Sequence, residues 1–179
     1  LTGQYIRNIR KYVKIDADAV AISVTHNHSA PAILDIPTIP ADKRYQVFLG
    51  DKIVAAAREA ETNLTEAVLD YAQTDSFIGL NRRIARRENT WDKDSGPIES
   101  ALHVVLVRSP AGTNLGMIVN YPTHPVCMRE DSELISADFP GVLYKTLGAS
   151  VGCPVAYLQG CCGDMIPKVF GTVKERDDY

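Results

Sequence analysis

Three apolar runs that stop abruptly in polar, proline-bearing loops constrain this chain more than any other feature. Residues 19–24 are almost continuously apolar, the pattern of a strand buried on both faces in a parallel or mixed sheet. That run breaks off into Thr25-His26-Asn27-His28-Ser29-Ala30-Pro31. A second run, 115–120, ends in Tyr121-Pro122-Thr123-His124-Pro125. A third, 154–159, ends in Gly160-Cys161-Cys162-Gly163-Asp164-Met165-Ile166-Pro167. Ligands in open α/β sheets bind beyond the carboxyl ends of the strands. The three loops are therefore expected to meet at one site.

The remaining pattern fills in the elements. Tyr5, Ile6, Ile9 and Val13 recur at helical spacing, which predicts a helix over about 2–14. Asp42 is placed to cap a second helix, whose apolar face runs through Tyr45, Phe48, Leu49, Ile53, Ala56, Ala57 and Ala60. Gly50 within it costs roughly 1 kcal/mol relative to Ala. Residues 65–72 and 75–80 read as short strands or one bent strand. A polar stretch follows from Asn81 to Gly96. Residues 102–107 and 115–120 read as a strand pair joined by a turn at Pro110-Ala111-Gly112. Asp138 is expected to cap a helix over 139–147, with Pro140 in its first turn. The fold class that results is α/β, a mixed sheet flanked by helices with active-site loops at the carboxyl ends of strands. The 179 residues suffice for one domain with a real core. We read 1–179 as a single domain, cut at both ends out of a larger one and so incomplete.

Composition narrows the function classes. A net charge of −3 lacks the basic surface by which general nucleic-acid binders displace counterions from phosphates. No apolar run approaches the roughly 20 residues that span a bilayer. The four cysteines, Cys127, Cys153, Cys161 and Cys162, form no C-x-x-C pair and no zinc-finger spacing. Adjacent cysteines rarely bond each other because the ring is strained. Free, half-buried thiols are expected, and the redox compartment stays open.

His26 and His28 form an H-x-H pair. In extended backbone, residues i and i+2 project to the same face, which suits metal binding, or one ligand beside one base. Two surface histidines in a loop would look the same. His124 adds weight: of 4 histidines, three follow strands. His103 falls inside a strand and reads as a sheet-face residue. Zinc takes nitrogen and carboxylate ligands and, in catalytic sites, keeps one position for water. Glu130, Asp131, Glu133, Asp138 and Asp164 lie nearby in sequence, mostly as loop solvation or helix caps. Arg82 could hold a carbonyl oxygen or oxyanion, although the cluster Arg82, Arg83, Arg86 and Arg87 also reads as a solvated basic face. Gly160, Gly163 and Asp164 form either a backbone N–H cradle for a ligand or an ordinary turn with glycines at positive φ.

Taken as an ordered set, these segments resemble the N-terminal catalytic domain of the neutral/alkaline non-lysosomal ceramidase family. The resemblance rests on Thr25 to Pro31, Asn81-Arg82-Arg83, Thr123-His124-Pro125, Ile135-Ser136-Ala137-Asp138-Phe139-Pro140-Gly141 and residues 158–164. It implies a zinc-dependent amidase with Zn2+ as cofactor. It assigns His26 and His124 as zinc ligands, and His28 as the partner that assists proton transfer. Arg82 becomes the residue that steadies the carbonyl oxygen. Asn81, Gly163, Asp164 and Ile166 fall where substrate contacts lie. The family completes its zinc shell with a Glu and a Tyr from much further along the chain. Asn27 and Ala30 depart from the family's Thr and Gly. Ile166 stands where the family has an essential Ser, so ceramide itself is questionable as substrate while zinc-dependent chemistry is not. The partner implied is a small-molecule or lipid-like N-acyl substrate, with no nucleic acid. Association with a membrane surface would run through parts outside these residues, and the family points to a secreted or periplasmic setting. Two rivals remain: a metal-stabilised binding domain without catalysis, and an H-x-H hydrolase of the barrel type. The barrel lacks support because no regular strand–helix alternation surrounds the pair.

Overall fold

Tyr5, Ile9 and Val13 are buried, which the helical spacing of these residues requires if they share one face. They belong to or directly follow α1 (Thr2–Arg10), shorter than the expected span because the chain turns at Lys11 and Tyr12. The coordinates are a computed structural model that describes residues 2–14, 19–89, 96–128 and 132–168. Glu130 and Asp131 lie outside the described residues, as do residues 90–95 of the expected polar stretch.

The described chain forms two compact units. The first takes the described residues within 1–23 and 31–66, the second those within 24–30 and 67–179. In the first unit α1 packs on α2 (Lys43–Thr62). Asp42 caps α2 as expected, its carboxylate accepting from the backbone N–H of Arg44 and Tyr45, both at 2.9 Å. Gly50 proves to have a packing reason. It is buried, and a Cβ there would lie 3.3 Å from the Tyr5 ring, so its absence lets the two helices approach.

The second unit is built on a four-stranded mixed sheet of order β1-β3-β4-β5. Its strands are β1 (Val68–Asp75), β3 (Ala101–Arg108), β4 (Asn114–Tyr121) and β5 (Val155–Gln159). β1–β3 and β3–β4 are antiparallel, whereas β4 and β5 run parallel. Parallel neighbours need a crossover, supplied by α4 (Asp138–Val151). Phe139, Leu143 and Leu147 of α4 pack on the core of Val119, Tyr121, Tyr157 and Met165. A separate ladder pairs β2 (Gly79–Asn81) with β6 (Met165–Pro167). Between β2 and β3 stands α3 (Arg82–Glu88). No helix among the described residues is long and apolar enough to cross a membrane.

Several expectations are corrected. Residues 20–24 form no strand: a strand exists only as part of a ladder, and this run has no pairing neighbour among the described residues. The polar stretch after Asn81 begins as a helix, because the Asn81 side chain accepts from the N–H groups of Arg83 and Ile84 and so satisfies the first orphan donors. Asp138 is not the N-cap of α4. That position is Ala137, with no side-chain cap bond, and Asp138 is itself the first helical residue, at φ 53°. Its carboxylate instead accepts from Phe139 N–H at 2.7 Å and from Met128 N–H at 3.0 Å, pinning the loop that follows His124.

Candidate metal centre

Because β4 and β5 are parallel and hydrogen-bonded up to the pair Tyr121–Gln159, their carboxyl ends leave the sheet side by side. The two following loops are then laced together. Gly160 N–H donates to the Tyr121 carbonyl at 3.3 Å, and the Gln159 amide donates to the Thr123 carbonyl at 3.0 Å. Gly160 is required here by contact, since a Cβ would sit 2.9 Å from Pro122 Cβ and 3.0 Å from its Cα. Neither Gly160 nor Gly163 has the positive φ that the turn pattern allowed.

His124 is 4% exposed. Its Nδ1 lies 2.8 Å from the carbonyl oxygen of Met165. A carbonyl only accepts, so Nδ1 carries the hydrogen and Nε2 keeps its lone pair. Burial holds the His124 imidazole below its ordinary pKa; the bond to Met165 opposes this, and the charges of Arg82, His26 and His28 add to it. A neutral ring with a fixed tautomer and an outward Nε2 lone pair is the form a metal needs.

The segment 24–30 brings the other two rings. Asn27 organises it: its Oδ1 accepts from Ser29 N–H at 2.8 Å, and its Nδ2 donates to the Ser136 carbonyl. Ser136 N–H returns a bond to the Ser29 carbonyl at 2.9 Å. His26 is held at φ 60°, the left-handed region that costs a non-glycine residue about 1–2 kcal/mol. The pair therefore converges through a bend, not through the extended geometry assumed from its spacing. Ring centroids lie 5.0 Å apart for His26–His28, 4.9 Å for His26–His124 and 5.7 Å for His28–His124, with the planes crossed at 71–76°. One ligand nitrogen from each of the three lies within 4.8 Å of the others. Nitrogens around a tetrahedral zinc stand about 3.3 Å apart, so this donor set fits a transition metal with a small inward movement. His26 and His28 are exposed, while His124 is buried.

Arg82 joins the site from the start of α3. Its Nε and Nη2 donate to the Gly163 carbonyl at 3.0 and 2.8 Å, and its backbone N–H donates to the Asp164 carbonyl at 2.8 Å. Two of its five side-chain donors are thus committed to the loop. Gly163 and Asp164 take part through these carbonyls. Asn81 is buried, capping α3 and donating to the Pro97 carbonyl at 2.9 Å. Ile166 is buried against Leu80, Ala85 and Val126. His103 lies on the sheet, stacked on Tyr71 and bonded to its hydroxyl at 2.8 Å.

Sequence reasoning missed Cys162. Its sulfur lies 3.9 Å from His124 Nε2, and burial pushes its pKa up. The parallel register of β4 and β5, and the bonds that link His124, Met165 and Cys162, bring the two together. None of the four cysteines forms a disulfide. A groove of about 500 Å³ between α1 and α2, lined by Tyr5, Tyr12, Gln46 and Arg58 among others, holds none of the histidines.

Solved structures share this architecture. Neutral ceramidase from Pseudomonas aeruginosa superposes with a TM-score of 0.71 at 20% identity, over 91% of this chain. The fold is that of part of a neutral ceramidase. A ceramidase solved in complex with C2 superposes with a TM-score of 0.72 at 18% identity, again over 91% of the chain. The chain spans 29% and 28% of the two ceramidase chains. No family profile matches its sequence, and no curated protein matches it.

Proposed function

We propose that the chain is part of the catalytic domain of a zinc-dependent hydrolase that cleaves an amide (N-acyl) bond. The observation that carries this is the convergence of His26, His28 and His124, one of them tautomer-locked by Met165, on a ceramidase fold. His26 and His124 would hold the ion, with further ligands from the rest of the protein. Bound zinc would supply Lewis acidity towards a water and towards the amide carbonyl.

The chain's own residues have separate tasks. His124 contributes Nε2 because its Nδ1–H is spent on a carbonyl. His28, exposed beside both ligands, takes up a proton at a ring nitrogen and returns it to the departing amine nitrogen. Arg82, held by Gly163, presents its remaining N–H donors to the carbonyl oxygen as charge develops there. Asn81, Gly163 and Asp164 shape the substrate side of the loop. The substrate is a small or lipid-like N-acyl compound met outside the cytoplasm. Ile166 offers no hydrogen bond, which argues for an N-acyl substrate other than ceramide.

The test uses the full-length protein. Wild type should bind zinc stoichiometrically by elemental analysis, and His26→Ala and His124→Ala should not. Retention of stoichiometric zinc by His26→Ala would refute the ligand assignment. A second reading, a metal-stabilised binding domain without turnover, is favoured by the apolar burial of Ile166. Hydrolysis of any member of an N-acyl panel, lost with chelator and restored by zinc, eliminates it.

A further inference from the structure

Besides Asn89, two non-glycine residues among those described hold positive φ: His26 at 60° and Asp138 at 53°. Such backbone is uncommon for residues with a Cβ and clusters at functional sites. Both residues belong to one bonding network that passes through Ser136. On the histidine side, the Asn27 side chain donates to the Ser136 carbonyl, and Ser136 N–H donates to the Ser29 carbonyl at 2.9 Å. On the other side, Asp138 N–H donates to Ser136 Oγ at 3.0 Å. The Asp138 carboxylate then divides its two oxygens. Oδ1 accepts from Phe139 N–H at 2.7 Å, and Oδ2 accepts from Met128 N–H at 3.0 Å, ten residues back along the chain. Asp138 is buried, so these N–H groups stand in for the water it has lost.

A helix cap alone does not need this arrangement. Capping side chains belong at the N-cap, and here that position is Ala137, which makes no side-chain bond. The acid stands one residue later on left-handed backbone, and from there its second oxygen reaches Met128. Gly141 accommodates the bend, since a Cβ there would lie 2.6 Å from Ala137 Cβ. Met128 ends a short loop from His124, within which Val126 N–H donates to the His124 carbonyl at 3.0 Å. Residues 136–138 thus form a strap. One end is fastened to the loop of His26 and His28, the other to the loop of His124.

We propose that Asp138 is a positioning residue for the metal centre. Its carboxylate ties the His124 loop to the segment that clamps His26 and His28, and so sets how the two loops stand before an ion binds. It acts through Met128 and Ser136. This inference rests on the metal-site reading above and deepens it.

Competition titration of the full-length protein against a chromogenic chelator tests it. Asp138→Ala should lower zinc affinity roughly 10- to 100-fold. Asp138→Asn tolerates the left-handed backbone and keeps one acceptor oxygen of two, so its loss should be roughly 3- to 10-fold. A strap released at one end gains little from the other. The Asn27→Ala/Asp138→Ala double variant should therefore bind within about twofold of the weaker single variant. Single losses that multiply in the double variant overturn the inference and leave the histidine site standing. So does a folded Asp138→Ala with lowered Tm that binds zinc within about twofold of wild type, the mark of a residue that serves stability alone. Absence of bound zinc from wild type overturns both readings. Should Asp138→Ala fail to fold, Asp138→Asn decides, and affinity within about twofold of wild type refutes the proposal.

Discussion

Replacing Asn27 with Ala tests whether the loop that carries His26 and His28 is organised for metal binding. The substitution removes two hydrogen bonds: Ser29 N–H to Oδ1, and Nδ2 to the Ser136 carbonyl. Each contributes about 0.5–1.5 kcal/mol net, so the ordered loop loses about 1–3 kcal/mol. These bonds also oppose a standing cost, the left-handed backbone of His26 at φ 60°, about 1–2 kcal/mol for a residue with a Cβ. Without the clamp the loop relaxes, and a metal must reorder it on binding. At about 1.4 kcal/mol per tenfold, zinc affinity should fall roughly 5- to 150-fold. The bond from Ser136 N–H to the Ser29 carbonyl survives, so the rest of the fold should hold. Competition titration against a chromogenic chelator in the full-length protein gives the affinity, and circular dichroism confirms folding. A folded Asn27→Ala protein that binds zinc within about twofold of wild type would show that the clamp does not prepare the site.

Gly160→Ala should lower stability by about 1–3 kcal/mol, because its Cβ meets Pro122 backbone at 3.0 Å. Gly163→Ala, with nothing within 4 Å, should stay within about 0.5 kcal/mol; equal shifts in Tm would contradict this. The lowered pKa of His124 gives a signed pH dependence for the metal-free protein. The unfolded chain takes up a proton on this ring near pH 6.5, while the folded one resists until lower pH. The stability contribution is therefore whole above about pH 6.5 and lost as pH falls from there towards the folded pKa. Urea midpoints should drop more steeply below about pH 6.5 in wild type than in His124→Gln, and parallel curves would disprove it. His103→Ala should cost about 1 kcal/mol by removing the bond to Tyr71 yet leave zinc content unchanged; a loss of zinc would mean that His103 serves the site.

Local chemistry made much of the architecture readable in advance. The buried side chains Tyr5, Ile9 and Val13 needed only helical spacing, and the cap at Asp42 needed only its own carboxylate. The hairpin of β3 and β4 followed from two apolar runs around a Pro-Ala-Gly turn. What stayed hidden depends on partners distant in sequence. Residues 20–24 have the composition of a strand, but composition does not supply a neighbour to bond. Met165–Pro167 is too short to show periodicity and becomes β6 only because Gly79–Asn81 lies against it. α3 has no apolar stripe; the Asn81 cap and buried Ala85 define it instead. At the site, the three histidines stood out by residue type and by position after apolar runs. Asn27, Met165 and Cys162 did not, since an ordinary amide, a backbone carbonyl and one thiol among four gain meaning only from what they face.

The parallel pairing of β4 with β5 acts as a ruler for the centre. A slip of one residue between these strands displaces one loop against the other by about 3.3 Å. That is nearly the whole 3.9 Å between Cys162 and His124. Backbone hydrogen bonds such as that from Met117 N–H to the Pro154 carbonyl at 2.9 Å thus hold the His124 loop in register with the loop that follows β5. Substitutions that loosen this ladder, though remote from any histidine, would displace His124 against the Gly163 carbonyl that holds Arg82.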